Sequence, residues 1–177
     1  LVYDDWLGHG IYRWEQLDHG NYGPVGSPLV FLGEAPGFDE VAMGRPFVGA
    51  AGGMHSRLLG RNGITRDQFR HENVLRCCPP EYEISKHWAE SAAAHCQGYR
   101  QPALDASPVI VALGGGALEA LCGPGEPISK ARGVWREFEG IPVLPTYHIS
   151  YLIRNNTAKS KRIVWEDLLL VMERLAL

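Results

Sequence analysis

Three stretches of the chain carry residues that could do chemistry together. A glycine-dense loop runs Gly33-Glu-Ala-Pro-Gly37 through Gly44-Arg-Pro-Phe-Val-Gly49. Asn73 heads the run Asn73-Val-Leu-Arg-Cys77, and His148 closes Thr146-Tyr147-His148. Glycine lets backbone approach a ligand closely. A side-chain amide both donates and accepts a hydrogen bond, and an imidazole changes its charge near neutral pH. The loop is not a Walker phosphate loop, because the Gly-Lys-Ser/Thr ending is absent, and it lacks the Gly-x-Gly-x-x-Gly dinucleotide fingerprint. Each feature taken singly also has a plain structural reading: a turn, an Asn beside a strand, a packed His. The four cysteines are Cys77, Cys78, Cys96 and Cys122. Cys77 and Cys96 are too far apart for a zinc ribbon. With no secretory signal, the thiols read as buried apolar side chains rather than disulfides.

The elements that would position these residues alternate. Pro28 to Gly33, Asn73 to Cys77 and Pro108 to Gly114 are short, continuously apolar runs stopped by Gly or Pro, as buried strands are. Val134 to Glu139 and Ile141 to Leu144 read as two further strands joined at Glu139-Gly140. Helical spacing holds for Met54, Leu58 and Leu59, ending near Asn62-Gly63. Ser85 is placed to cap a helix reaching Tyr99. A short helix spans Ala117 to Leu121, and an apolar helical face runs from Ile163 to Leu175. The pattern predicts an α/β fold: three layers, α/β/α, around a central, mostly parallel four-stranded sheet. Residues 1–27 read as an irregular N-terminal arm, and residues 28–177 as the single domain. In such folds ligands bind beyond the carboxyl ends of the strands, where all three stretches would fall.

The 177 residues suffice for one core. No apolar run reaches the length of a bilayer span and no signal segment opens the chain, so the expected place is the cytoplasm. The net charge of −3 does not favour nucleic acid. Its distribution leaves the question open: from Gly140 to Trp165 there is no Asp or Glu, while Arg154, Lys159, Lys161 and Arg162 fall there, which reads equally as a segment facing phosphates or as the solvated start of a helix.

Five blocks, in order, resemble the iron–sulfur uracil-DNA glycosylases of bacteria and archaea. They are Gly33-Glu-Ala-Pro-Gly37 with Gly44-Arg-Pro-Phe-Val-Gly49; Asn73-Val-Leu-Arg-Cys-Cys-Pro-Pro80; Leu113-Gly-Gly-Gly-Ala117; Lys130-Ala-Arg-Gly133; and Thr146-Tyr-His-Ile-Ser-Tyr-Leu-Ile-Arg154. The resemblance implies a monofunctional DNA-repair enzyme that flips uracil out of single- or double-stranded DNA and hydrolyses its N-glycosidic bond, leaving an abasic site. It implies that Phe47 stacks on uracil, with Ala35 and Gly37 beside it, that Asn73 reads the uracil edge, and that His148 stabilises the charge developing on the uracil oxygen. Glu40 is the first candidate to position the water and Glu34 the second; both could instead order the loop. Ser150, Arg154, Lys130 and Arg132 are expected to meet DNA, and Tyr151 and Leu152 to fill the gap left by the flipped base. The enzyme is expected to act as a monomer.

Two departures from the family pattern stand out. Ile149 replaces the proline usual after the histidine. The family holds a [4Fe-4S] cluster through four cysteines; Cys77 and Cys96 match two of them, and the Cys-x-x-Cys pair that would precede the first strand is not found between Leu1 and Leu32. Either that pair lies upstream of Leu1, or other residues substitute, or the cluster is lost; the two matched cysteines favour a [4Fe-4S] cluster. These departures leave a second reading open, a glycosylase-like DNA-binding module with little or no turnover.

Overall fold

The computed structural model describes residues 22–61, 63–76, 96–98, 101 and 104–177. A five-stranded sheet lies at its centre, built from β1 (Val30–Gly33), β2 (Arg70–Asn73), β3 (Ile110–Leu113), β4 (Arg136–Phe138) and β5 (Ile141–Thr146). The strand order is β2-β1-β3-β5-β4. β1 pairs in parallel with β2 and β3, β3 in parallel with β5, and β4 runs antiparallel to β5. The helices are α1 (Phe38–Met43), α2 (Gly49–Gly60), α3 (Gly115–Cys122), α4 (Ile128–Ala131), α5 (Ile149–Arg154) and α6 (Ala158–Leu175).

β1, β3 and most of β5 are buried on both faces, so their side chains alternate between two apolar layers. Phe31, Val109, Val111 and Leu113 point to one layer, with Leu58 and Leu59 of α2, Leu152 of α5, and Val164, Leu168 and Val171 of α6. Val30, Leu32, Ile110 and Ala112 point to the other, with Ala117, Leu118 and Leu121 of α3 and Ala131 of α4. That arrangement is the expected three-layer α/β/α fold.

The sheet has five strands rather than four. Glu139 and Gly140 both take positive φ, 50° and 82°, the backbone of a tight two-residue hairpin. The hairpin folds β4 back onto β5 and adds the antiparallel edge. Asn73 ends β2 rather than opening it: the strand begins at Arg70, whose polar side chain hid it from a hydrophobicity reading. Arg70 and Glu72 form an ion pair at 3.0 Å, with Glu72 fully buried. Part of the N-terminal arm is also built into the body: Tyr22 and His71 exchange backbone hydrogen bonds of 3.1 and 2.7 Å, and the Ser107 hydroxyl donates to Ser27 O at 3.0 Å. The rest of the arm and most of the expected Ser85–Tyr99 helix lie outside the described residues. α6 starts at Ala158, five residues before the apolar pattern does, capped by Thr157, whose hydroxyl accepts the Ser160 N–H at 3.1 Å.

Candidate active site

The carboxyl ends of β1, β2, β3 and β5 open on one cavity of about 690 Å³. Its wall contains ten of the residues singled out from sequence: Glu34, Ala35, Gly37, Glu40, Phe47, Asn73, His148, Ser150, Tyr151 and Arg154. Gly114 and Tyr147 also line it; both fall in motif blocks but had been given no role.

Gly33, the last residue of β1, forms the point where two binding groups converge. A Cβ there would overlap Asn73 Oδ1 and come within 3.0 Å of Phe47 Cζ. The missing side chain is therefore what lets an aromatic ring and an amide share one end of the cavity. Phe47 is 7% exposed and has φ 53°, the left-handed region. That conformation costs a non-glycine residue about 1–3 kcal/mol and persists only where neighbours impose it. Behind the ring stand two buried imidazoles, His55 and His71, with centroids 5.8 and 5.1 Å from it.

His148 follows β5 and caps α5. Its Nδ1 accepts the backbone N–H of Ser150 at 3.2 Å and lies 2.8 Å from the Ser150 hydroxyl. An Nδ1 that accepts leaves the neutral ring's proton on Nε2, as a donor. Burial, and then the charge of Arg154, push the His148 pKa from 6.5 down to about 4. The ring is therefore neutral at physiological pH. NMR titration of the free protein should place its midpoint near 4. Arg154→Gln should raise that value without restoring 6.5, because burial is the larger cause. A midpoint at 6.5, or a fall in the variant, would contradict this arrangement. Because the folded value lies below the unfolded one, the unfolded state binds the extra proton first, and this group destabilises the fold as pH drops from 6.5 towards 4.

Gly114, the N-cap of α3, has φ 94°, and a Cβ there would meet His148 Cβ at 3.1 Å. Gly114→Ala should therefore displace His148. A loss of about 1.4 kcal/mol in transition-state contact would lower kcat roughly tenfold, and unchanged kinetics would show that His148 tolerates the shift.

The two carboxylates differ. Glu40 accepts the N–H of Gly37 and of Val48, both at 3.1 Å, one on each oxygen. It thus ties together the two ends of the loop that carries α1. Burial still raises its pKa against those bonds. A carboxylate has about four acceptor sites, so two remain for a water. Glu34 packs against the first turn of α3, where a Cβ on Gly116 would overlap its carboxylate. Burial and then Glu119 raise its pKa.

Other residues lie elsewhere. Leu152 is fully buried among Leu58, Leu59 and Val164, so it does not fill a gap in DNA; its neighbour Tyr151, stacked on Tyr147 at 4.3 Å, does line the cavity. Arg132 turns inward, bonding Asp167 at 3.0 and 2.5 Å and Ile163 O at 3.1 Å, so its guanidinium is already committed. Lys130 is exposed on α4. Ile149 is 2% exposed and packs into the core. The first helical position does not need its N–H for the helix, so the isoleucine exchanges backbone stiffness for burial.

Among the described residues the cysteines do not gather at one place. Cys77 and Cys78 lie outside the described residues. Cys96 is buried, and its sulfur accepts the Arg76 N–H at 3.4 Å beyond β2. The Cys122 thiol lies 3.8 Å from Glu137 O on β4. β2 and β4 are opposite edges of the sheet, four strand spacings or about 19 Å apart. Cys122 and Cys96 therefore cannot share a cubane. Among the described residues no group of three His, Cys, Asp or Glu side chains is arranged to hold a metal ion.

The fold and site define an α/β domain with a crevice at the carboxyl ends of a mostly parallel sheet, lined by an aromatic ring, an amide and a neutral imidazole. A family model of the uracil DNA glycosylase superfamily matches residues 20–169. A type-4 uracil-DNA glycosylase from Thermotoga maritima is 38% identical over 148 residues, covering 82% of this chain and 77% of that protein. Those of Sulfurisphaera tokodaii and Saccharolobus solfataricus are 35% and 31% identical, over 78% and 84% of this chain and 66% and 71% of their own lengths. The chain belongs to the uracil-DNA glycosylase superfamily and is similar to its type-4 members.

Proposed function

We infer that this chain is a DNA-repair glycosylase that flips uracil out of DNA and hydrolyses its N-glycosidic bond. The observation that carries the reading is the convergence of Phe47, Asn73 and a neutral His148 on one cavity in a chain of this superfamily. A flipped base stacks on Phe47. The Asn73 amide pairs with the uracil edge; cytosine presents the opposite donor pattern and would leave a buried group unpaired. As the bond from C1′ to uracil N1 stretches, the sugar gains positive charge and uracil negative charge. The His148 Nε2–H donates to the uracil oxygen where that charge collects. Water, held at the free acceptor sites of Glu40, adds its oxygen to C1′ and gives up one proton, which balances the one that uracil gains. Uracil leaves as an anion and takes up a proton.

Ser150, Tyr151, Arg154 and Lys130 face the DNA in this reading, with Tyr151 at the gap left by the base and the basic side chains on phosphates. The domain is residues 28–177, acting as a monomer on single- or double-stranded DNA in the cytoplasm. No step is routed through an iron–sulfur cluster; Cys77 and Cys96 are the residues that would hold one. Iron content and the visible absorption spectrum of the purified protein read this directly.

The test is an oligonucleotide bearing uracil, cytosine or thymine at one position. Strand cleavage after alkali is expected for uracil alone, and cleavage without alkali would contradict a monofunctional enzyme. Tight binding to uracil or abasic DNA with no alkali-sensitive product would instead favour the non-catalytic DNA-binding module.

A further inference from the structure

We propose that Arg66 is a positioning residue that holds Phe47 in its left-handed conformation and so presents the ring to the flipped base. The inference rests on the reading of Phe47 as the stacking surface for uracil. Arg66 lies in the helical turn Arg66–Gln68 that leads into β2. Its Nη1 donates to Phe47 O at 2.6 Å and its Nη2 to Pro46 O at 2.9 Å. One guanidinium thus grips two consecutive carbonyls, those on either side of the Phe47 backbone that has φ 53°. A planar fork makes such a pair of bonds in a fixed geometry, and an ammonium cannot.

Both partners of the grip are themselves fixed. Phe47 O lies against the first turns of α2, where Gly52 is required because a Cβ would overlap that oxygen. On the other side, the Tyr22 ring covers the guanidinium at 4.4 Å. Tyr22 is tied to β2 by its backbone bonds to His71, and its hydroxyl bonds Asp67 beside Arg66. Arg66 therefore connects the edge of the sheet that ends in Asn73 to the loop that carries Phe47. The two groups that meet above Gly33 are held in mutual register through it.

A double-mutant cycle tests this. Wild type, Arg66→Ala, Phe47→Ala and the double variant are compared for kcat/KM on a uracil oligonucleotide, inhibition by free uracil, and Tm. Arg66→Ala should lower kcat/KM roughly tenfold and weaken inhibition by uracil. In the Phe47→Ala background the same change should matter by less than about twofold, because its effect passes through the missing ring. Arg66→Lys, which keeps the charge, should keep the salt dependence of DNA binding but not the uracil affinity; it also serves if Arg66→Ala fails to fold. Equal losses in both backgrounds, or a lysine variant with wild-type kcat/KM, would overturn the proposal while leaving the glycosylase reading intact. A wild-type chain that releases no uracil would overturn both.

Discussion

His148→Ala is expected to lower kcat for uracil release by about 10²–10³-fold, the usual cost of removing one donor from a site where negative charge develops. KM should change little, because the contact strengthens only as the base leaves. The expectation follows from the proton inventory of the ring. Ser150 N–H occupies Nδ1 at 3.2 Å, so Nε2 carries the proton. A pKa near 4 keeps the donor neutral, which avoids neutralising a buried cation before each turnover. The variant should also lose part of a helix cap, since His148 accepts from Ser150 N at the start of α5, at about 1 kcal/mol. A fall in Tm without loss of kcat would place the chemistry elsewhere.

The second large effect is on stability. Asp167, 1% exposed, accepts from Arg132 Nε and Nη2 and from the Thr146 hydroxyl at 2.5 Å. Those three bonds join α6, the Lys130–Gly133 turn and the last residue of β5, immediately before Tyr147 and His148. Asp167→Ala would leave a part-buried guanidinium and a buried hydroxyl without their acceptor. Removing one partner of a buried pair costs about 3–5 kcal/mol. Arg132 keeps some contact with solvent, so the lower figure, about 3 kcal/mol, is expected. For a chain of this size that is a fall in Tm of roughly 6–12 °C. Denaturant unfolding checks it, and a change below about 0.5 kcal/mol would mean that the network contributes no more than an ordinary surface pair.

The sequence was most legible where pattern and chemistry coincide. Val30 to Gly33 and Ile110 to Leu113 are apolar because they are buried on both faces, so a run of apolar residues was enough to place them. β2 was misplaced by three residues because Arg70-His71-Glu72 is buried although polar, held by ion pairs of Glu72 with Arg70 and Arg76 and by a bond from His71 Nδ1 to Phe69 O at 3.0 Å. Burial without hydrophobicity leaves no signal in a hydropathy pattern. The cavity residues were legible because motif blocks carry them. Arg132 and Leu152 sit in those same blocks, yet they serve the turn and the core; a motif marks which residues matter and not what each one touches. Arg66 left no mark, since its role depends on two carbonyls about twenty residues earlier in the chain.

The central claim is that this cavity excises uracil from DNA. It is tested most directly by measuring free base released from a single-uracil oligonucleotide, by mass spectrometry, for wild type and His148→Ala. The expected result is free uracil equal in amount to the abasic sites formed, with release by the variant slowed by about 10²–10³-fold. Uracil DNA that is bound yet returned intact by the wild-type protein would contradict the claim.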